Sequence, residues 1–331
     1  MKQKEYDNIV EVSTGLRIAR NVPPGQDLGV WEQLQKSRPK YDDDGNIIKH
    51  PKVMNNRHNL LTILAQDPRY IGLQYNPYSD QVLLDGEMIT DRDLFFVGVH
   101  MGNAYGLQPT TAAIREAVIA AASQREIDPL GDYLKGLEWD KQPRLHNLFS
   151  YYFDASLEQA ISDRTKADDL ERFSDLVSEL GIRWALSAVA RVLSPGCKMD
   201  TCLVLVGAKG RGKSTALRVL AGEYFSDSHL DISSKEAYEL IHQSYVWLWE
   251  LAEMHSLHGK SANNAKMFLT ATIDRYRPSY GRMPVAKKRR IVFTASTNDW
   301  QFLSDGPERR YWPIVVGSQV LLEELGRDRD Q

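Results

Sequence analysis

Cys202-Leu-Val-Leu-Val206, then Gly207-Ala-Lys-Gly-Arg-Gly-Lys213-Ser214, then Thr215-Ala-Leu-Arg-Val-Leu220 is the stretch that decides the fold. Five apolar residues bounded by a turn predict a buried strand, and the segment after Ser214 is made of helix formers. Between them stands the complete pattern G-x-x-x-x-G-K-[ST]. Gly207, Gly210 and Gly212 let the backbone curl until successive N–H groups point inward, and the helix N-terminus adds its positive dipole end. Lys213 is suited to neutralise β- and γ-phosphates, and Ser214 offers a hydroxyl to Mg²⁺. With Thr215, these residues form the candidate nucleotide-binding set, for ATP and Mg²⁺. A chance match in a glycine-containing loop would lack the strand before it and the helix after it.

Downstream, apolar runs and helical patterns alternate. Tyr245-Val-Trp-Leu-Trp249 reads as a second strand, 262–271 as a helix and Arg290-Ile-Val-Phe-Thr-Ala295 as a third strand. Short buried runs separated by helices predict a parallel sheet with helices packed on it, an α/β fold of the P-loop NTPase type over residues 194–331. Hydrolysis also needs a carboxylate near metal and water. Glu250 and Glu253 follow the second run, as expected for acids at the tip of a strand next to the loop's strand. One would hold Mg²⁺ and the other polarise the water; the sequence leaves their division open, and two surface glutamates are the competing reading. Asn298, after the third run, can orient water and sense a γ-phosphate, or simply form a turn. Arg309 and Arg310 are candidates for a finger reaching a neighbouring subunit's γ-phosphate, or for pairing with surface acids.

From Arg275 to Arg290 there are seven basic residues and no acid: Arg275, Arg277, Arg282, Lys287, Lys288, Arg289 and Arg290. Tyr276 and Tyr280 are interleaved, and Pro278, Gly281 and Pro284 favour a loop or hairpin. Such a segment can track a nucleic-acid backbone and stack on bases; a solvated surface loop is the plainer alternative.

The first half is less regular. Residues 1–56 read as a partly irregular arm with a short hairpin at Asp44-Gly45-Asn46. Residues 57–128 read as a small, mostly helical α+β domain, with helices around Leu60–Leu64 and from Thr110 or Thr111 to Ser123. Residues 129–193 read as a helical linker and collar ending at Ser194-Pro195-Gly196. The 331 residues carry a net charge of −3, so nucleic-acid contact requires a local patch. Cys197 and Cys202 fit no zinc or disulfide pattern. No run of eighteen apolar residues and no apolar leader is present, so the expected location is cytoplasmic, with no membrane partner.

Several blocks in order make the chain resemble the virulence-associated protein E family from about Asn59 onward. They are Asp128-Pro-Leu-Gly-Asp-Tyr-Leu-Lys-Gly-Leu-Glu-Trp139-Asp140, Ala190-Arg-Val-Leu-Ser-Pro-Gly-Cys-Lys198, the glycine loop, and Trp249-Glu-Leu-Ala-Glu253. Asp274-Arg-Tyr-Arg-Pro-Ser-Tyr-Gly-Arg282, Thr297-Asn298 and Arg309-Arg-Tyr-Trp-Pro313 complete the set. The resemblance implies an AAA+-like ATPase of mobile elements related to superfamily 3 helicases, acting on single-stranded or forked DNA as a homo-oligomeric ring. It implies Walker B roles for Glu250 and Glu253, a sensor role for Asn298, a finger at Arg309 or Arg310, and DNA contact by the basic segment. Many relatives carry an N-terminal primase domain, for which residues 1–56 are too short, so priming would fall to a separate partner. The expected function is a DNA helicase or replication-initiation ATPase. The alternative is a nucleotide-switched regulatory or anti-phage ATPase, and a small-molecule kinase is a third class that usually lacks the basic loop.

Overall fold

A computed structural model describes residues 28–155, 167–252, 260–279, 281, 283–298 and 309–331. The chain divides into two compact units, Met1–Asp128 and Pro129–Gln331.

The first unit contains a short helix, Leu28–Gln33, then an antiparallel ribbon of β1 (Lys40–Tyr41) and β2 (Ile47–Lys49). After the helix Arg57–Gln66 comes an antiparallel sheet of β3 (Leu73–Asn76), β4 (Gln81–Leu84) and β5 (Glu87–Met88). The helices Asp91–Tyr105 and Thr111–Ala122 follow. Helix starts are set by side-chain caps. Asn56 accepts from Asn59 N, Thr90 and Asp93 form a capping box, and Thr110 accepts from Ala113 N. Leu60, Ile63, Leu64, Leu94, Val97, Met101, Ile114 and Val118 form the core at helical spacing.

The segment before residue 57 is not a separate arm where it is described. Val30 and Leu34 are buried in the same core. The buried Asn59 amide donates to the Gln35 and Met54 carbonyls at 2.8 and 2.7 Å and accepts from Gln35 N at 2.8 Å. At the end of that helix Asp67 is buried among Arg69, His100 and Tyr105. Burial pushes its carboxyl up, but the hydrogen bonds and the guanidinium outweigh this and hold it near 2.

The second unit opens with the helices Pro129–Gly136, Leu148–Tyr152 and Ala167–Leu193. Its sheet is built from β6 (Cys202–Val206), β7 (Phe225–Ser226), β8 (Leu248–Ala252), β11 (Val292–Thr297) and β12 (Tyr311–Val315). Between β8 and β11 the chain forms an antiparallel hairpin, β9 (Ile273–Tyr276) and β10 (Val285–Lys288). The sheet order is β12-β6-β11-β8-β7, with all four pairings parallel. Such a sheet needs helices on both faces. On one face Leu203, Leu205, Leu248, Val292 and Ile314 meet Ala216 and Leu217 of the helix Lys213–Ala221 and Trp184 of the long helix. On the other, Val204, Trp249, Leu251, Phe293 and Ala295 meet Ile241, Ala265 and Phe268. Leu148, Phe149 and Phe153 belong to the first of these cores, so residues 129–193 are part of the sheet domain rather than a linker.

Two strands start later than the sequence predicts. Tyr245 takes φ of +50°, which breaks the extended run, and the β8 ladder begins at Leu248. The β11 ladder begins at Val292, because Arg289 and Arg290 are engaged elsewhere. Arg289 N bonds the Thr272 carbonyl, and Arg290 Nε donates to the Val192 carbonyl at 3.2 Å.

The hairpin is fastened at its root by a buried cluster. The Arg289 guanidinium pairs with both oxygens of Asp274, sits over Phe268 and Phe293 at 4.7 and 5.5 Å, and is fully buried. His242 Nε2 lies 3.0 Å from Asp274 Oδ2 with its ring stacked on Tyr276. Burial pushes the Asp274 carboxyl up, but His242 and Arg289 together lower it below the usual carboxylate range. Removing one partner leaves an uncompensated buried charge, so Arg289→Ala should destabilise the protein by about 3–5 kcal/mol in urea unfolding. Because the folded pKa of Asp274 is depressed, its contribution is full above the ordinary carboxylate pKa and is lost as pH falls through the folded value. Asp274→Asn should flatten that acid limb, and an unchanged limb would assign it to other carboxylates.

Candidate functional site

The loop after β6, the middle of β8 and the end of β11 bring together several of the residues singled out in the sequence. Gly207 is buried directly after β6, its N–H donating to the Thr297 carbonyl at 3.1 Å. A Cβ on Gly207 would come within 3.0 Å of the Val316 carbonyl, tighter than most real contacts. Gly210 and Gly212 have φ of +85° and +86°, the left-handed turn that brings the chain into the helix beginning at Lys213. Arg211, between them, braces the loop by donating to the Val316 carbonyl at 2.8 Å and to the Gly317 carbonyl. Nothing in the motif distinguishes Arg211 from a solvated residue; only the position of the strand β12 reveals the brace.

Lys213 is buried and its ammonium donates three ways: to the carbonyls of Gly207 at 2.7 Å and Ala208 at 3.0 Å, and to Asn298 Oδ1 at 3.1 Å. Burial, and then the nearby Arg211 guanidinium, lower its pKa against the pull of Glu250. Ser214 Oγ donates to Glu250 Oε1 at 2.8 Å. Thr215 is exposed one residue further along the helix.

Glu250 lies within β8 rather than beyond its tip, and β8 is not adjacent to the loop's strand, because β11 stands between them. The two-residue alternation along β8 puts Glu250 on the face that Leu248 shares with the helix Lys213–Ala221. Its carboxylate is 2% exposed, and Oε2 has no hydrogen-bond partner among the described residues. A buried carboxylate oxygen left without a donor is costly and fits a cation beside Ser214. Glu253 lies outside the described residues. Asn298, exposed at the end of β11, reaches the site through Lys213.

Arg309 and Arg310 are not brought to this cluster within the chain. They precede β12, whose first residue, Tyr311, pairs with Cys202 at the start of β6, whereas the loop follows Val206. Four residue steps of strand, roughly 13 Å, separate the two ends. Arg309 is exposed and Arg310 half-buried, its carbonyl accepting from Cys202 N at 2.7 Å.

The basic segment splits. Ile273 and Arg275 on β9 and Ala286 and Lys288 on β10 are exposed on one side of the hairpin, with Arg277 exposed just beyond β9. Lys287 is half-buried on the other side, paired across from Asp274. Arg289 and Arg290, expected as surface contacts, are instead buried anchors: Arg289 pairs with Asp274, and Arg290 Nε donates to the Val192 carbonyl. Arg282 and Tyr280 lie outside the described residues. Among the described residues no helix is long and apolar enough to cross a membrane.

The model of the virulence-associated protein E-like domain matches residues 134–331, more than half of the chain. Two solved structures of the NrS-1 C-terminal region, both in an A-form apo state, resemble the chain at 12% and 13% identity with TM-scores of 0.44 and 0.45. The alignments cover 78% and 81% of this chain and 64% and 66% of those chains, so it spans just under two thirds of their length. No curated protein matches the chain.

The loop geometry yields a test independent of any ligand. A side chain at Gly210 meets open space, so Gly210→Ala isolates the backbone cost of the left-handed turn. That cost is about 1–2 kcal/mol and should appear as a lower thermal midpoint. An unchanged midpoint would mean that the loop takes another conformation in solution.

Proposed function

The chain belongs to the virulence-associated protein E-like family, and from that premise we propose that it is a Mg²⁺-dependent ATPase coupling hydrolysis to movement on single-stranded DNA. This is a helicase or replication-initiation activity of a mobile element. The observation that carries the reading is the convergence of Lys213, Ser214, Glu250 and Asn298 on one glycine-lined turn at the C-terminal end of a parallel sheet.

The residues suit the ligand. Loop N–H groups and the helix N-terminus favour phosphate oxygens, and a desolvated ammonium at Lys213 favours the β- and γ-phosphates. Ser214 Oγ and the unpartnered Glu250 Oε2 are the oxygens that would hold Mg²⁺. Bound there, the metal supplies neutralisation of charge developing on the phosphates. Glu250 and Glu253 divide metal holding and water activation between them, and Asn298 orients the attacking water while steadying Lys213. Arg309 or Arg310, at the far end of the strands from their own loop, would serve a neighbouring subunit's site in a ring, and Arg309 is the exposed one of the two. The exposed side of the hairpin, with Arg275, Arg277 and Lys288, is the candidate single-strand contact.

Phosphate-release assays test the chemistry. Lys213→Ala should abolish hydrolysis and weaken nucleotide binding with the fold intact. Glu250→Gln and Glu253→Gln should both keep nucleotide binding, and at least one should lose hydrolysis by about a hundredfold, a typical scale for removing a general base. Normal turnover in Lys213→Ala would sink the assignment.

DNA coupling has its own readout. Replacing Arg275, Arg277 and Lys288 with Gln should lower DNA-stimulated turnover. The salt dependence of single-strand binding should become shallower by about 0.7 for each phosphate no longer neutralised. ATP turnover indifferent to DNA in the wild-type protein would favour the nucleotide-switched regulatory reading.

A further inference from the structure

The first unit carries a row of exposed basic side chains along one ribbon, in a part of the chain that the matched domain does not reach. Lys36 stands opposite Val53 and Lys40 opposite Lys49. Ser37 N donates to the Lys52 carbonyl at 2.8 Å, and Met54 N to the Gln35 carbonyl at 2.9 Å. These pairings share one register, so the two-stranded ribbon extends well beyond β1 and β2. By two-residue alternation, positions 36, 38 and 40 lie on the same side as 49. Lys36, Arg38, Lys40, Lys49 and Lys52 are all exposed, and none forms an ion pair with an acid among the described residues.

Within residues 36–53 the acids are Asp42, Asp43 and Asp44, at the ribbon's tip. Asp42 is occupied in closing the turn, accepting from Asp44 N at 3.1 Å, Asn46 N at 2.7 Å and Asn46 Nδ2 at 3.2 Å, while Gly45 takes φ of +82°. Like charges placed directly opposite, as Lys40 and Lys49 are, destabilise a ribbon. Nor is this one buried for its own sake: Tyr41, Ile47 and Ile48 are 56%, 46% and 65% exposed. A polyanion on the lysine side removes the repulsion and covers Tyr41 and Ile47 at once.

We propose that this ribbon is a docking surface for duplex DNA, with Lys36, Arg38, Lys40 and Lys49 on phosphates. A two-stranded ribbon fits the major groove, about 12 Å wide in B-form DNA. There Ile47, on the side of Lys49 by the same alternation, and Tyr41, paired across from it, have apolar base edges, thymine methyls among them, to pack against. Single strands are held by several stacked aromatics, and between Lys36 and Val53 there is one, Tyr41. The proposal stands apart from the nucleotide reading, since it uses no residue of that site.

Its test is fluorescence anisotropy of the full chain on a short duplex and on a single strand of equal length, over a series of salt concentrations. Replacing Lys36, Lys40 and Lys49 together with Gln should weaken duplex binding. It should make the logarithmic salt slope shallower by about 0.9 for each phosphate no longer neutralised. The corresponding Arg triple variant should bind like wild type, and single-strand affinity should not change in either. The Gln variant should melt at or above the wild-type midpoint, since a like-charge pair has been removed; if it melts early, Lys49→Gln alone gives the decisive slope. Unchanged duplex affinity and slope would overturn the proposal, as would an equal weakening on the single strand. Displacement of the duplex by polyglutamate at matched charge would assign the ribbon to an acidic protein surface instead.

Discussion

A parallel sheet has to be covered on both faces, and the two-residue alternation along its strands then decides what every side chain meets. In β8 this separates Leu248 and Glu250 from Trp249 and Leu251. The helix that starts at Lys213 covers the face to which Glu250 points, so the same packing that buries Leu217 delivers Ser214 to the carboxylate. A slip of β8 by one residue would turn Glu250 toward Phe268 and put the Trp249 ring against the loop's helix. Core and site therefore answer to one register.

The glycine loop was legible in the sequence because its determinants are local: a strand, three glycines and a helix within twenty residues. The place of Glu250 was legible only as an acid near a strand's end, since its true neighbours depend on β11 entering between β6 and β8. Tyr245, with its left-handed φ, displaced the strand start by three residues, and nothing in an apolar run announces that. The basic segment shows the limit of counting charges. Arg289 looks like Lys288 in a sequence, yet its partners are Asp274, just outside the counted run, and backbone carbonyls brought in by folding.

The ribbon of the first unit errs in the opposite direction. Lys36, Arg38 and Lys40 recur every second residue, which is itself a strand signature with one basic side. The surrounding polar, turn-rich composition masks it, and only the pairing with Lys49 makes it visible. A net charge of −3 is thus compatible with two separate cationic surfaces, one on each unit.

The three acceptors around Lys213 also bear on selectivity. Two carbonyls and an amide oxygen accept from the ammonium, one for each of its three donors. Any incoming molecule takes part in an exchange: it must offer the ammonium more than three neutral oxygens already do. Uncharged ligands gain nothing from that exchange, whereas the full negative charges of a polyphosphate gain a charge-assisted contact. On the proposed ATPase reading, that exchange would select ligands by charge density before any other feature is read.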